Sequence, residues 1–345
     1  MERWQSSPHG SAERALPYAT LLRPDEPTPL HLVTQTHNAA FLWRLNGGAN
    51  LVNFRPQGPV FSAGYSSDGK FVATGGRSVR IFDANEDRIT FARPLHKVEY
   101  PHQGLVTSVE FSPANGSNRF LTTSYDETAK IWLWHPDRKV SQMLHELTGH
   151  EGAVRFGTWS ADGSRVLTVG RDGRPRVWSF PPNAPPTSVT LEMFPPRADA
   201  ADQNFEQLGG AFSWDGNFVA VGGRDVVTGE SIGWVWNLAP APGKLPRLHA
   251  TIRGHGLGGI NSVAFLPNDD RLLTGGADGT ARLWDWQKDA VLGEDDPPLA
   301  ADFLISLVRR DETTTHRGAV TSVRVTRTGN MVTASSDGTV LIWPK

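Results

Sequence analysis

Along most of the chain the apolar residues fall in short runs rich in Val, Ile, Leu, Phe and Trp, separated by tight polar punctuation. Residues 150–178 show the pattern. Ala153 to Trp159 reads as a strand, Ser160-Ala161-Asp162-Gly163 as a hairpin turn, and Arg165 to Val169 as a second strand. Arg171-Asp172-Gly173 is then another turn, and Arg176-Val177-Trp178 closes a third strand. Asp-Gly between strand formers is a strong hairpin signal, because Gly adopts positive φ without a Cβ clash. The pair recurs at Asp68-Gly69, Asp215-Gly216, Asp278-Gly279 and Asp337-Gly338. A fourth run precedes each His, as Leu248 to Ile252 precedes Gly254-His255. The predicted unit is a four-stranded antiparallel meander.

The unit repeats. Four copies share a His, then Thr-x-x-x-Asp, then a Trp placed the same distance beyond the Asp: His102, Thr122, Asp126, Trp132; His150, Thr168, Asp172, Trp178; His255, Thr274, Asp278, Trp284; and His316, Thr333, Asp337, Trp343. Self-similarity at a period of about 40 to 60 residues means a modular architecture. Weaker copies appear when the template is laid along the rest of the chain. Residues 60–82 match with Phe82 at the Trp position and no Asp; residues 208–236 match with Trp236 but without the His, Thr and Asp. A further copy runs from Leu32-Val33-Thr34 through Asn38 to Trp43, with His9 upstream. Seven units are therefore expected in one domain.

Composition excludes several classes. A formal charge of -2 with 20% charged residues provides no basic footprint for nucleic acid. The absence of Cys excludes a disulfide framework, thiolate metal sites and Cys nucleophiles. No basic, then apolar, leader opens the chain and no apolar stretch reaches membrane-spanning length, so a cytoplasmic protein without membrane contact is expected.

A His, a hydroxyl and a carboxylate in one unit look like a hydrolase triad. An enzyme, however, needs one such set at one cleft, whereas this one occurs four times, and an internal Thr is a poor nucleophile. No catalytic residue is assigned. Gly64-Tyr65-Ser66-Ser67-Asp68-Gly69-Lys70 has phosphate-loop spacing, but Phe71 replaces the required hydroxyl and the segment reads as a hairpin. The His residues lack HExxH spacing and the Asp-Gly pairs do not continue into calcium loops, so no metal or cofactor is expected.

Gly149-His150 with Val177-Trp178, and Gly254-His255 with Leu283-Trp284-Asp285, resemble the signature of the WD-repeat β-propeller family, and the resemblance covers nearly the whole chain. It implies an all-β, seven-bladed propeller with blades near 13–55, 59–96, 104–146, 152–194, 206–252, 259–310 and 318–345. The last of these would be closed by a strand from residues 1–8. It further implies that Trp and Thr hydrogen-bond to His while Asp binds the other His nitrogen. The family's partners usually dock on the face carrying the His loops and Asp turns, so a non-catalytic scaffold for proteins or peptides is expected. Residues beside those turns or starting inner strands become candidate contacts. Phe61, Tyr125, Arg155 and Arg171 lead, with Arg155 and Arg171 suited to an acidic or phosphorylated segment. The long loops around the divergent 208–236 unit add Arg197 and Arg224. Two alternatives are a propeller enzyme of hydrolase or lactonase type, and the sensor or docking module of a larger kinase-linked protein. No kinase loop or His-Arg-Asp motif is present in this chain.

Overall fold

The computed structural model describes residues 3–5, 19–21, 31–36, 39–44, 49–54, 59–84, 93–180, 185–191, 205–239, 244–267, 270–286, 298–307 and 316–345. Side chains are described from residue 59 onward and at Ala40. His9 and the whole of the loop 195–202, Arg197 included, lie outside the described residues.

The expected meander is present. Val106–Phe111, Arg119–Ser124, Ala129–His135 and Val140–Leu147 form one antiparallel sheet in chain order, and Val154–Trp159, Arg165–Gly170, Arg176–Ser179 and Thr187–Thr190 form the next. Val60–Tyr65, Phe71–Gly76, Val79–Asp83 and His96–Val98 build a third. Ile260–Phe265, Arg271–Gly276, Ala281–Asp285 and Asp302–Ser306 build a fourth. A fifth sheet holds Phe205–Phe212, Phe218–Asp225, Ser231–Asn237 and Arg247–Arg253. It departs from the expected four strands, because Leu299–Ala300 adds a parallel strand through Ala250↔Leu299 and Thr251↔Ala300. In the sixth, Val320–Val325, Met331–Ser335 and Thr339–Trp343 are completed by Arg3–Gln5, in the register Arg3↔Leu341, Trp4↔Val340 and Gln5↔Thr339.

Six blades are thus seen with their side chains, one fewer than the seven expected. Ala19–Leu21, His31–Thr36, Ala39–Arg44 and Ala49–Phe54 pair into a further antiparallel sheet described in backbone, with Leu32 opposite Trp43.

The repeated aromatics stand in one register. Phe82 pairs with Val72, Trp132 with Phe120, Trp178 with Val166, Trp236 with Val219, Trp284 with Leu272 and Trp343 with Met331. All six aromatics are buried. The five tryptophans among them belong to apolar clusters that straddle neighbouring sheets: one cluster joins Ile81 and Phe111, another Leu121 and Trp178, another Leu167 and Trp236, another Val235 and Trp284, another Leu283 and Trp343. Burying each sheet face against the next is what a single meander cannot do alone, and it is the source of the ring's stability.

The Asp-Gly turns divide into two kinds at opposite ends of the sheets. Asp68, Asp162 and Asp215 join first to second strands, and each accepts a hydrogen bond from a Ser two residues earlier at 2.5 to 2.7 Å. The Gly that follows has φ of 75, 67 and 72°, a conformation that disfavours a Cβ. Asp172, Asp278 and Asp337 join second to third strands and belong to the polar networks.

Candidate functional site

Each His sits in the loop entering a sheet, its Thr in the second strand, its Asp in the following turn and its Trp in the third strand. His102 Nε2 lies 2.8 Å from Thr122 Oγ1, to which Trp132 Nε1 donates at 2.9 Å. The same pair of distances is 2.7 and 2.8 Å around Thr168, 2.7 and 2.7 Å around Thr274, and 2.7 and 3.0 Å around Thr333. The indole therefore reaches Thr and not His, which corrects the expected arrangement: the hydroxyl stands between the two rings. A His proton on Nδ1, facing Asp, leaves Nε2 to accept from Thr and satisfies every member of the chain.

The Asp contact varies. His150 Nδ1 is 2.8 Å from Asp172, His102 is 3.0 Å from Asp126 and His255 is 3.2 Å from Asp278, but His316 is 4.0 Å from Asp337. In the fourth network the Thr339 hydroxyl takes the carboxylate's place, 2.7 Å from His316 Nδ1, and donates to Asp337 at 2.5 Å. Thr128 and Thr280 stand similarly, each 3.1 Å from its His. The unit with the shortest His–Asp contact has Arg174 at that position. This fifth participant was not assigned from sequence, although Asp126-Glu127-Thr128, Asp278-Gly279-Thr280 and Asp337-Gly338-Thr339 share an Asp-x-Thr spacing.

These carboxyls are held in their charged form. Burial pushes Asp126, Asp172 and Asp278 up, but the hydrogen bond from His, with backbone N–H groups, outweighs it and brings each below the usual carboxylate range. At Asp337 burial is likewise outweighed, chiefly by Thr339 and the Arg317 N–H. In each circuit the Thr residue is wholly buried, with its hydroxyl shared between the His and the Trp.

Four of the partner-contact candidates, Tyr125, Arg155, Arg171 and Arg224, lie elsewhere and converge. In six sheets the pairing of first and second strands skips one residue at the same place, and the residues skipped are Phe61, Thr107, Arg155, Leu208, Asn261 and Thr321. A bulge re-aims its side chain out of the alternating pattern. Thr107 Oγ1 donates to Val154 O at 2.5 Å and Asn261 Nδ2 to Val320 O at 2.9 Å, so these two bulges fasten one blade to the next. Phe61, Thr107, Arg155 and Leu208 line a common cavity together with Glu110 and Arg324. Burial in that lumen pushes the Glu110 carboxyl up to about 7, against opposing contributions from Arg324 and Thr158.

Arg155 reaches the neighbouring sheet's Glu206, which sequence reasoning passed over. Glu206 has a side chain only 2% exposed, yet it is met by Arg155 Nη2 at 2.5 Å, Arg224 Nη2 at 2.7 Å and Arg171 Nε at 3.5 Å. Arg155 also donates to the Tyr125 hydroxyl at 2.5 Å and lies over its ring at 5.2 Å. Burial pushes Glu206 up, and the hydrogen bonds from Arg155 and Arg224 more than reverse it, so its carboxylate stays charged. Tyr125, Arg155, Arg171 and Arg224 thus form one cluster about a carboxylate, while Phe61 lies apart in the lumen wall. Arg155 and Arg171, the pair singled out from sequence, both engage Glu206. Arg171 and Arg224 keep 57% and 41% of their side chains exposed. Beside Arg224, the hairpin tip of Val226 and Val227 and the adjoining Leu257 form an exposed apolar shoulder, tied by Gly258 N to Gly229 O at 2.9 Å. Among the described residues no three His, Asp or Glu side chains gather to hold a metal ion, and no helix is long and apolar enough to cross a membrane.

The family model for the WD domain, G-beta repeat, matches residues 93–132, 141–179, 246–285 and 309–344, the four units that carry the networks. The chain is a WD-repeat β-propeller with antiparallel blades. Among the relatives it is similar to, apoptotic protease-activating factor 1 of Homo sapiens is 33% identical over 140 residues, covering 38% of this chain and 10% of that protein. Protein transport protein SEC13 of Chaetomium thermophilum is 32% identical over 127 residues, covering 35% of this chain and 38% of that protein. Nuclear distribution protein PAC1 of Arthroderma benhamiae is 26% identical over 248 residues, covering 67% and 48% respectively. The chain spans less than half the length of each.

Proposed function

We propose that the protein is a non-catalytic interaction scaffold, a cytoplasmic seven-bladed ring in which 19–54 supplies the remaining blade. The face bearing the His loops and Asp turns receives an acidic segment of a partner protein. The observation that carries this reading is the convergence of three guanidinium groups on one buried carboxylate, two of them well exposed. Three positive charges against one negative leave the cluster with an excess of positive charge, on a chain whose formal net charge is -2. Arg and Tyr also dominate binding hot spots. The polar triads argue against the rival hydrolase: they are repeated, closed and buried.

Binding of a fluorescent peptide with a run of glutamates tests it. The wild-type protein should bind with a strong salt dependence. The Arg171→Gln/Arg224→Gln protein should lose binding while keeping its melting temperature to within a few degrees. Equal binding by the two proteins sinks the reading, as does salt-insensitive binding.

A further inference from the structure

Resting on that reading, we infer that the cluster is built for a phosphorylated Ser, Thr or Tyr side chain of a protein partner, and that Glu206 is the positioning residue that holds the guanidinium groups for it. The charge count favours a dianion. With Arg155, Arg171 and Arg224 set against Glu206, a phosphomonoester of charge about -1.5 to -2 would bring the cluster near neutrality, whereas a carboxylate would leave it positive.

Donor geometry points the same way. Arg155 spends its Nε and Nη2 on Glu206 and its Nη1 on Tyr125. Since Tyr125 accepts there, its own hydroxyl proton remains to be donated, and the residue is 41% exposed. Arg224 spends Nε and Nη2 on Glu206 and Arg171 approaches Glu206 through Nε, which among the described residues leaves Nη1 of Arg224 and both Nη groups of Arg171. The remaining donors come from three side chains on three separate turns and strands, which suits the three terminal oxygens of a phosphate better than the two of a carboxylate. Glu206 supplies the rigid back of the site. Fixing long Arg side chains before the ligand arrives removes a cost that binding would otherwise carry.

The test uses the full chain and four heptapeptides identical except at the centre: phosphoserine, its monoanionic methyl phosphodiester, glutamate and serine. Affinity should be highest for phosphoserine, at least about tenfold above glutamate and above the diester, with serine weakest. Arg171→Gln, at an exposed side chain, should remove about tenfold of the phosphoserine affinity and little of the stability. Glu206→Gln separates charge from positioning, because it makes the cluster more positive. Simple attraction would then tighten binding, while loss of positioning weakens it, and weakening with an undiminished salt slope is expected. Glutamate bound as tightly as phosphoserine, with both lost in Arg171→Gln, overturns the phosphate inference and leaves the acidic docking face standing. Failure of all four peptides, or binding indifferent to Arg171 and Arg224, overturns both. Tighter binding by Glu206→Gln overturns its positioning role, and preference for phosphoinositide vesicles over the peptide overturns the protein partner.

Discussion

His316 is closed by Thr339, not by Asp337: its Nδ1 lies 2.7 Å from the hydroxyl and 4.0 Å from the carboxylate. The fourth network therefore depends on a side chain that is auxiliary in the first, where His102 keeps a 3.0 Å contact with Asp126 beside its 3.1 Å contact with Thr128. Thr339→Val should cost about 1–3 kcal/mol, the penalty for stripping a buried donor of a near partner, and Thr128→Val distinctly less. Urea unfolding of the two variants measures the difference, and equal costs would contradict the substitution of hydroxyl for carboxylate.

Acid should weaken the ring through its network carboxyls. Asp126, Asp172, Asp278 and Asp337 all titrate below their unfolded values, so the stability they confer is complete above the usual Asp range near pH 4 and is lost as pH falls beneath it. Asp278→Asn should be less stable than wild type at neutral pH and should show a shallower decline on acidification. Parallel declines in thermal melts from neutral pH into the acid range would refute this.

Glu110 works in the other direction. Its folded value of about 7 exceeds the unfolded one, so ionisation opposes folding and the cost grows as pH rises from about 4 to 7. Glu110→Gln should therefore match wild type at pH 4 and melt higher than wild type at pH 8. Arg324 in the same lumen moderates the effect, so Arg324→Leu should enlarge the pH dependence of the parent. A Glu110→Gln advantage that does not vary with pH would point to packing alone.

Close approach of inner strands gives a steric test. A Cβ on Gly209 would lie 2.5 Å from Asn261 O, a backbone atom of the next blade that cannot swing aside. Gly209→Ala should destabilise by about 1–3 kcal/mol, as overpacking does. A neutral result would mean that the two blades can part without cost.

Much of this molecule is legible in its residues because the repeat enforces it. Asp-Gly turns and closing aromatics mark nearly every blade, since each must bury the same face against a similar neighbour. The His, Thr, Asp and Trp groups were recognisable for the same reason. Features without a repeat were not. Glu206 is a lone acid at the start of one inner strand, and only the tertiary fold brings Arg155, Arg171 and Arg224 to it from separate segments. Its trace in the sequence is a carboxylate in Phe205-Glu206-Gln207, at the entrance to the unit lacking His and Asp. Leu299–Ala300 is too short to announce a strand, and it exists because the backbone of Ala250 and Thr251 offers an open edge. The bulges at Arg155 and its counterparts were reached only as strand starts, because alternation along one strand cannot reveal a residue its partner skips.

Gln5 stands opposite Thr339, the same residue that completes the His316 network. The seam of the ring and one of its polar locks are thus a single mechanical object, so a force that peels Arg3–Gln5 away should loosen His316 with it. Anything attached before residue 3 or after residue 343 would emerge from neighbouring strands of one blade. A tether at either end would then pull on the same joint, while the arginine cluster about Glu206 is carried by other blades.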